Sequence, residues 1–208
     1  MNRASIALAA LALLTGCPLP QPLADYPAGS VTPPRILMDQ LDPRETVIRV
    51  PADCPTAPSW PLAAVLVDTN TDETVTARWF VDYDRRNSAR CRFEESEDIP
   101  GPGDEVEDPT RREVTPFDFR PYDYPAVLGG GADPRGTGVV HVVELVVSNR
   151  FDPEADDAGL CASDVPPERF PFRTADQDGT VQFETQTHRW VFVSEPETGA
   201  VPCPTSPP

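Results

Sequence analysis

Val139-Val140-His141-Val142-Val143-Glu144-Leu145-Val146-Val147-Ser148 is the stretch that decides the fold. It is dominated by valine, whose branched Cβ favours the extended chain, and neither glycine nor proline interrupts it. A period of two places Val143, Leu145 and Val147 on one face and Glu144 on the other. The reading is a strand with its valine–leucine face inward, Glu144 outward and its His141 end at the sheet's rim.

Working outward, Arg78-Trp79-Phe80-Val81-Asp82-Tyr83 alternates in the same way and turns Trp79, Val81 and Tyr83 toward the core. Apolar runs of strand length recur between turn signals over 35–38, 46–50, 62–68, 77–83, 90–93, 117–119, 139–148 and 188–193. Seven to eight strands with no convincing helix between them predict an all-β domain over 35–196, an antiparallel β-sandwich. The 27 prolines argue against a helical bundle, because each fixes φ and removes a backbone donor. Two acidic segments stand apart. Residues 94–116 include Glu94-Glu95-Ser96-Glu97-Asp98, and residues 150–180 include Asp152-Pro153-Glu154-Ala155-Asp156-Asp157. Both are predicted as long loops and the first as mobile, since such stretches bury too little apolar surface to offset ordering.

The amino-terminal end carries a different message. Arg3 precedes the apolar run Ala4–Leu14, and Leu14-Thr15-Gly16-Cys17 follows, which looks like a bacterial lipobox. A helix over that run rises roughly 16 Å, about half the hydrocarbon thickness, and is too short to span a bilayer. Residues 1–16 are therefore expected to be a lipoprotein signal peptide. Cys17 is expected to be the mature first residue, carrying diacylglycerol on its thiol and an acyl chain on its amine. Two or three acyl chains, at about 0.8 kcal/mol per buried methylene, hold far beyond the marginal binding of one. Residues 17–34 form a proline-rich tether and 197–208 a proline-rich tail. The expected location is the bacterial cell envelope, lipid-anchored and periplasm-facing or surface-exposed, with inner and outer membrane both open.

A formal net charge of −17 repels phosphates, so nucleic acid is not an expected partner. With Cys17 lipidated, Cys54, Cys91, Cys161 and Cys203 remain. An even number in an oxidising compartment argues for two disulfides, with three connectivities open. No CxxC spacing occurs, which disfavours zinc and redox-active pairs.

Asp68-Thr69-Asn70-Thr71-Asp72, Arg78-Trp79-Phe80-Val81-Asp82 and Val142-Val143-Glu144-Leu145-Val146-Val147-Ser148-Asn149 together resemble the B–C turn, tryptophan-bearing C strand and F strand of immunoglobulin-like and PKD-like bacterial surface modules. With Thr187-His188-Arg189-Trp190-Val191-Phe192 as the last strand, they are similar to uncharacterised lipoproteins of Gram-negative bacteria. The resemblance covers about a third of the folded region and implies a fold rather than an activity. The core positions that hold the inter-sheet disulfide in antibody-type domains are Val and Leu here, so the bridges are expected to pin loops and termini. The strand order of that fold implies Cys54 with Cys203 and Cys91 with Cys161.

Asp68, Asp72 and Glu73 share a turn in which carboxylates could gather around Ca²⁺. No EF-hand spacing accompanies them, and Asp and Asn favour turns for hydrogen-bonding reasons alone. Asp152, Asp156 and Asp157 are a similar candidate. His141 and His188 start two strands that, if antiparallel neighbours, separate them, which argues against a shared metal or a catalytic pair. No Gly-x-Ser-x-Gly elbow is present. Phe117, Phe119, Tyr122 and Tyr124 read mainly as core and core-edge residues, with an exposed stacking surface as the functional alternative. The expected role is a non-catalytic envelope module, structural or interacting with an envelope protein, with no cofactor beyond the lipid on Cys17. The alternative is a glycan- or peptide-binding module, Ca²⁺-assisted or not.

Overall fold

The computed structural model describes residues 32–52, 54, 55, 57–84, 91, 93–102, 107–126, 133–149, 151, 176, 177, 181, 182, 185–195 and 203. All lie in one compact unit, Val31–Pro208. The strands are β1 (Arg35–Ile36), β2 (Val47–Pro51), β3 (Trp60–Val67), β4 (Val75–Val81), β5 (Glu95–Ile99), β6 (Arg111–Phe119), β7 (Val140–Ser148), β8 (Asp176–Gln177), β9 (Val181–Gln182) and β10 (Gln186–Glu195). They form a three-stranded sheet in the order β1-β3-β6, a five-stranded sheet in the order β2-β10-β7-β4-β5, and the short β8-β9 pair.

The two larger sheets bury their facing sides against each other. Leu62, Ala64, Leu66, Val114, Phe117 and Phe119 of the smaller sheet join Trp79, Val143, Leu145, Val147, Trp190 and Phe192 of the larger in one core. Trp79 is stacked against Phe117 at 5.3 Å and Trp190 at 5.7 Å between ring centroids, and Phe119 meets Phe192 at 4.5 Å. The inward set of the deciding stretch, Val143, Leu145 and Val147, is fully buried in this core. Glu144 does face away from it but is buried too, because Arg189 of the neighbouring strand covers it and donates to its Oε1. His141, expected at the rim, shares the core face of Val143 and is 1% exposed.

Other expectations need correction. The pairing is antiparallel except at one edge, where β2 runs parallel to β10. The supposed loop 94–116 contains β5 and most of β6, and Cys91 and Phe93 lie outside any strand. β5 tolerates Glu95, Glu97 and Asp98 because it is an edge strand whose side chains reach water, and charge on an edge discourages pairing with other chains. β6 bulges: Leu62 faces Phe117 and Ala64 faces Val114, so Ala63 opposes both Thr115 and Pro116. Proline, lacking an N–H, suits that irregularity. Ala63 turns its own backbone groups to Asp42, at 2.7 and 3.0 Å.

Tyr83 is not on the core side. Asp82 adopts φ 50°, which breaks the strand's alternation, and Tyr83 packs edge-on to Phe80 on the outer face. There Phe80, Val146 and Phe151 form a second cluster, with Tyr83 and Phe93 against it. The Arg78 guanidinium lies over Phe151 at 4.0 Å and over Phe93 at 4.9 Å.

The open sides of the sandwich are closed by short connections. The segment between β1 and β2, with a 3₁₀ turn over Met38–Gln40 and a cis Asp42–Pro43 bond, passes over the core, and Pro43 accepts from Trp190 Nε1 at 2.9 Å. On the other side Glu97 of β5 accepts from the Thr115 N–H of β6 at 2.7 Å. Among the described residues no helix is long and apolar enough to cross a membrane.

Candidate functional site

Strand direction gathers the candidate residues at two opposite ends of the sandwich. At the first end β3, β5 and β7 finish and β4, β6 and β10 begin. Asp68 closes β3, and its Oδ1 accepts from the Asn70 N–H at 3.0 Å, a turn fixed by the side chain itself. Its Oδ2 accepts from Arg112 Nη2 at 2.9 Å, with both side chains buried. Arg112 also donates to the carbonyls of Asn70, Glu73 and Ile99 at 2.8, 2.5 and 3.0 Å. Asn149, just past β7, donates to Asp68 Oδ2 and Glu73 Oε2. One guanidinium thus ties the β3–β4 connection to the end of β5, with its charge balanced by Asp68.

This arrangement answers for the turn carboxylates Asp68, Asp72 and Glu73. Asp68 is committed to Arg112, Glu73 to Asn149, and Asp72 is exposed. Among the described residues no three of His, Cys, Asp and Glu are placed to hold a metal ion. Burial raises the Glu73 pKa, helped by the Asp68 charge and opposed by Arg112 and by the bond from Asn149. Close packing at this end also needs Gly101, because a Cβ there would fall 1.8 Å from the Thr71 carbonyl oxygen.

The second end holds Asp82, His141, Tyr124 and Glu94. Asp82 Oδ2 lies 2.6 Å from His141 Nδ1, while Oδ1 accepts from the Val142 N–H at 2.7 Å. The His141 ring packs edge-on against Phe119 and Tyr124. Its Nε2 is buried without a hydrogen-bond partner. Burial raises the Glu94 pKa against a hydrogen bond with Tyr124, and burial followed by the Glu94 charge pushes the Tyr124 hydroxyl well above its usual range. His141 and Asp82 form a hydrogen-bonded dyad of the kind that can orient a base. With the His141 side chain 1% exposed, a substrate reaches it only if the sandwich end opens.

Tyr122, in the 3₁₀ turn Pro121–Asp123, anchors this end. Its hydroxyl donates to the Pro51 carbonyl at 2.6 Å and accepts from the Cys54 N–H at 3.0 Å. Cys54 is joined to Cys203. Cys91 is also disulfide-bonded, and Cys161, its expected partner, lies outside the described residues, as do Cys17, Asp152, Asp156 and Asp157. Phe117 and Phe119 are core residues, Tyr122 is buried, and Tyr124 stacks on Phe119 at 5.5 Å, so this aromatic run does not form an exposed stacking surface.

His141 and His188 are not brought together. In the β7–β10 register His141 faces Phe192 and His188 faces Leu145, four residues apart along β10, or roughly 13 Å. His188 is buried edge-on to Trp190 at 4.2 Å, and burial lowers its pKa. Sequence reasoning missed Arg112, whose partners come from the β3–β4 connection and the end of β5, and the Asp82–His141 pair, 59 residues apart. The one available signal was period two, which puts His141 on the Val143 face and hence requires a polar partner inside.

No protein-family model matches the chain, and no curated protein matches it.

Proposed function

We propose that this chain is a cell-envelope lipoprotein, anchored through Cys17, whose folded part is an immunoglobulin-like sandwich serving as a non-catalytic structural or interaction module. The observation that carries the non-catalytic reading is the use made of its ionisable side chains. Arg112 and Asp68 are 1% and 0% exposed, and His141 and Asp82 are 1% and 6% exposed. Among the described residues these two pairs hold the two ends of the sandwich shut, out of reach of a substrate.

Strand grouping supports the immunoglobulin-like part. β3 and β6 share one sheet and β5, β4, β7 and β10 the other, which parallels strands B and E against C′, C, F and G. Trp79 occupies the C-strand core position in that correspondence, and Leu62, Ala64 and Leu66 face Val143, Leu145 and Val147 where antibody domains carry a disulfide. The anchoring part is supported by the lipobox at Leu14–Cys17 and the short apolar run before it. The test is Cys17→Ser expressed in a Gram-negative host. The wild-type protein is expected in the membrane fraction and the variant in the soluble fraction; equal partition of the two rejects the anchor.

A second reading, a peptide- or glycan-binding module, is favoured by an open groove of about 710 Å³ beside the β1–β2 connection. Asp39, Gln40, Asp42, Arg44, Glu45 and Arg111 line it, a polar mixture within the size range of ligand sites. Glycan-array or peptide-array binding that Arg44→Ala and Arg111→Ala abolish would favour this reading over the first.

A further inference from the structure

We infer that the anchored domain meets the bilayer by its β3–β4 end and points the end built around Tyr122 and the Cys54–Cys203 bridge away from it. The inference rests on the proposed lipidation of Cys17, and it follows from where the chain joins the sandwich. The first described residue, Thr32, has its carbonyl bonded by Asn70 Nδ2 at 3.0 Å, within the β3–β4 turn. Pro34 and Ile36 are buried, and β1 pairs Arg35 with Val67 and Ile36 with Leu66 at the finish of β3. The attachment point is therefore fixed at the Asp68–Arg112 end rather than hanging from the middle of the domain.

The opposite end is set by the same strand directions. Pro51, Cys54, Tyr122, Gly138 and Glu195 meet there: Tyr122 bonds Pro51 and Cys54, Gly138 N–H donates to Ser194, and Ala52 N–H donates to Glu195. Cys203 is tied to the same place by its bridge to Cys54. A nine-residue strand such as β7 spans roughly 30 Å, so the two ends are about that far apart. The fifteen steps of chain from Cys17 to Thr32 reach at most about 50 Å, which keeps the attachment end the nearer one on average. A net charge of −17 opposes flat adsorption on anionic headgroups, so the join, not surface attraction, sets the orientation.

The outward end is held covalently by the Cys54–Cys203 bridge and by the hydroxyl of the buried Tyr122. Arg120, Asp123, Asp133 and Arg135 are exposed around it, and the Arg135 guanidinium lies 5.2 Å over the Tyr122 ring.

The test uses the full-length lipidated protein reconstituted into vesicles of phosphatidylethanolamine and phosphatidylglycerol that carry a headgroup-linked acceptor. A fluorescent amino acid replaces either exposed Asp72 at the attachment end or exposed Asp123 at the outward end, with Thr69 and Arg120 as a second pair of positions should a variant fail to fold. Energy transfer to the bilayer is expected to be greater from position 72 than from position 123. Equal transfer, or greater transfer from 123, with the protein on the vesicles overturns the orientation while leaving the anchor standing. Protein left in the supernatant with no transfer from either position removes the anchor and the orientation with it.

Discussion

Arg112 carries its charge where water does not reach, and its value to the fold depends on Asp68. Removing one partner of a buried pair strands the other, which costs about 3–5 kcal/mol, whereas replacing both with uncharged groups costs less. Urea unfolding should therefore show Arg112→Met losing about 3–5 kcal/mol, with Asp68→Asn/Arg112→Met recovering part of it. His188 gives the second prediction at this scale. Burial lowers its folded pKa below the usual value, so the unfolded chain takes up the proton first as pH falls. Its contribution is complete above about pH 6.5 and is lost as pH falls through that unfolded value toward the folded one. Unfolding free energy should decline from pH 7.5 to pH 5.5 more steeply in the wild type than in His188→Phe. Equal slopes would show that His188 is not the group responsible. These residues also mark the limit of what the sequence discloses: period two locates His141 on a buried face, but nothing local announces Asp82 or Arg112 as the partners.

At the scale of the element, legibility follows burial. β7 and β4 are central strands, and their valines and Trp79 announce them. β5 is an edge strand whose Glu95, Ser96 and Asp98 are exposed, so its sequence reads as an acidic loop. The first half of β6 was hidden for a similar reason, since Arg111 and Glu113 face water and Arg112 is turned inward to the turn cluster. Tyr83 was misplaced because one residue with positive φ resets the alternation. If the charges of β5 protect an unpaired edge, Glu95→Val/Asp98→Val should promote self-association, seen as increased light scattering on concentration; unchanged scattering would assign the protection elsewhere. For the core, Trp79→Ala should cost about 3–5 kcal/mol, since the ring is held between Phe117 and Trp190.

For the whole molecule, the bridge between Cys54 and Cys203 closes a loop with a sequence separation of 149 and ties the far end of the chain to the start of the sandwich. By chain entropy a closure of that length contributes about 5 kcal/mol, so Cys54→Ala/Cys203→Ala should lower stability by an amount approaching that and shift the melting midpoint accordingly. A change near zero would mean that the ends are held by packing and hydrogen bonds alone. The β domain could be read from its alternating apolar runs, whereas the leader and tether are expectations from composition that fall, but for residues 32–34, outside the described residues. The parallel β2–β10 edge could not, since it depends on a crossing between sheets that leaves no local pattern. The claim that organises the rest is that Cys17 is the lipid-bearing first residue of the mature protein. Intact-mass and peptide mass spectrometry of protein purified from a Gram-negative host tests it most directly. The account predicts an amino-terminal peptide that begins at Cys17 and carries a diacylglyceryl thioether and an amide-linked acyl chain. A peptide that begins at Met1 and contains an unmodified Cys17 thiol would contradict it.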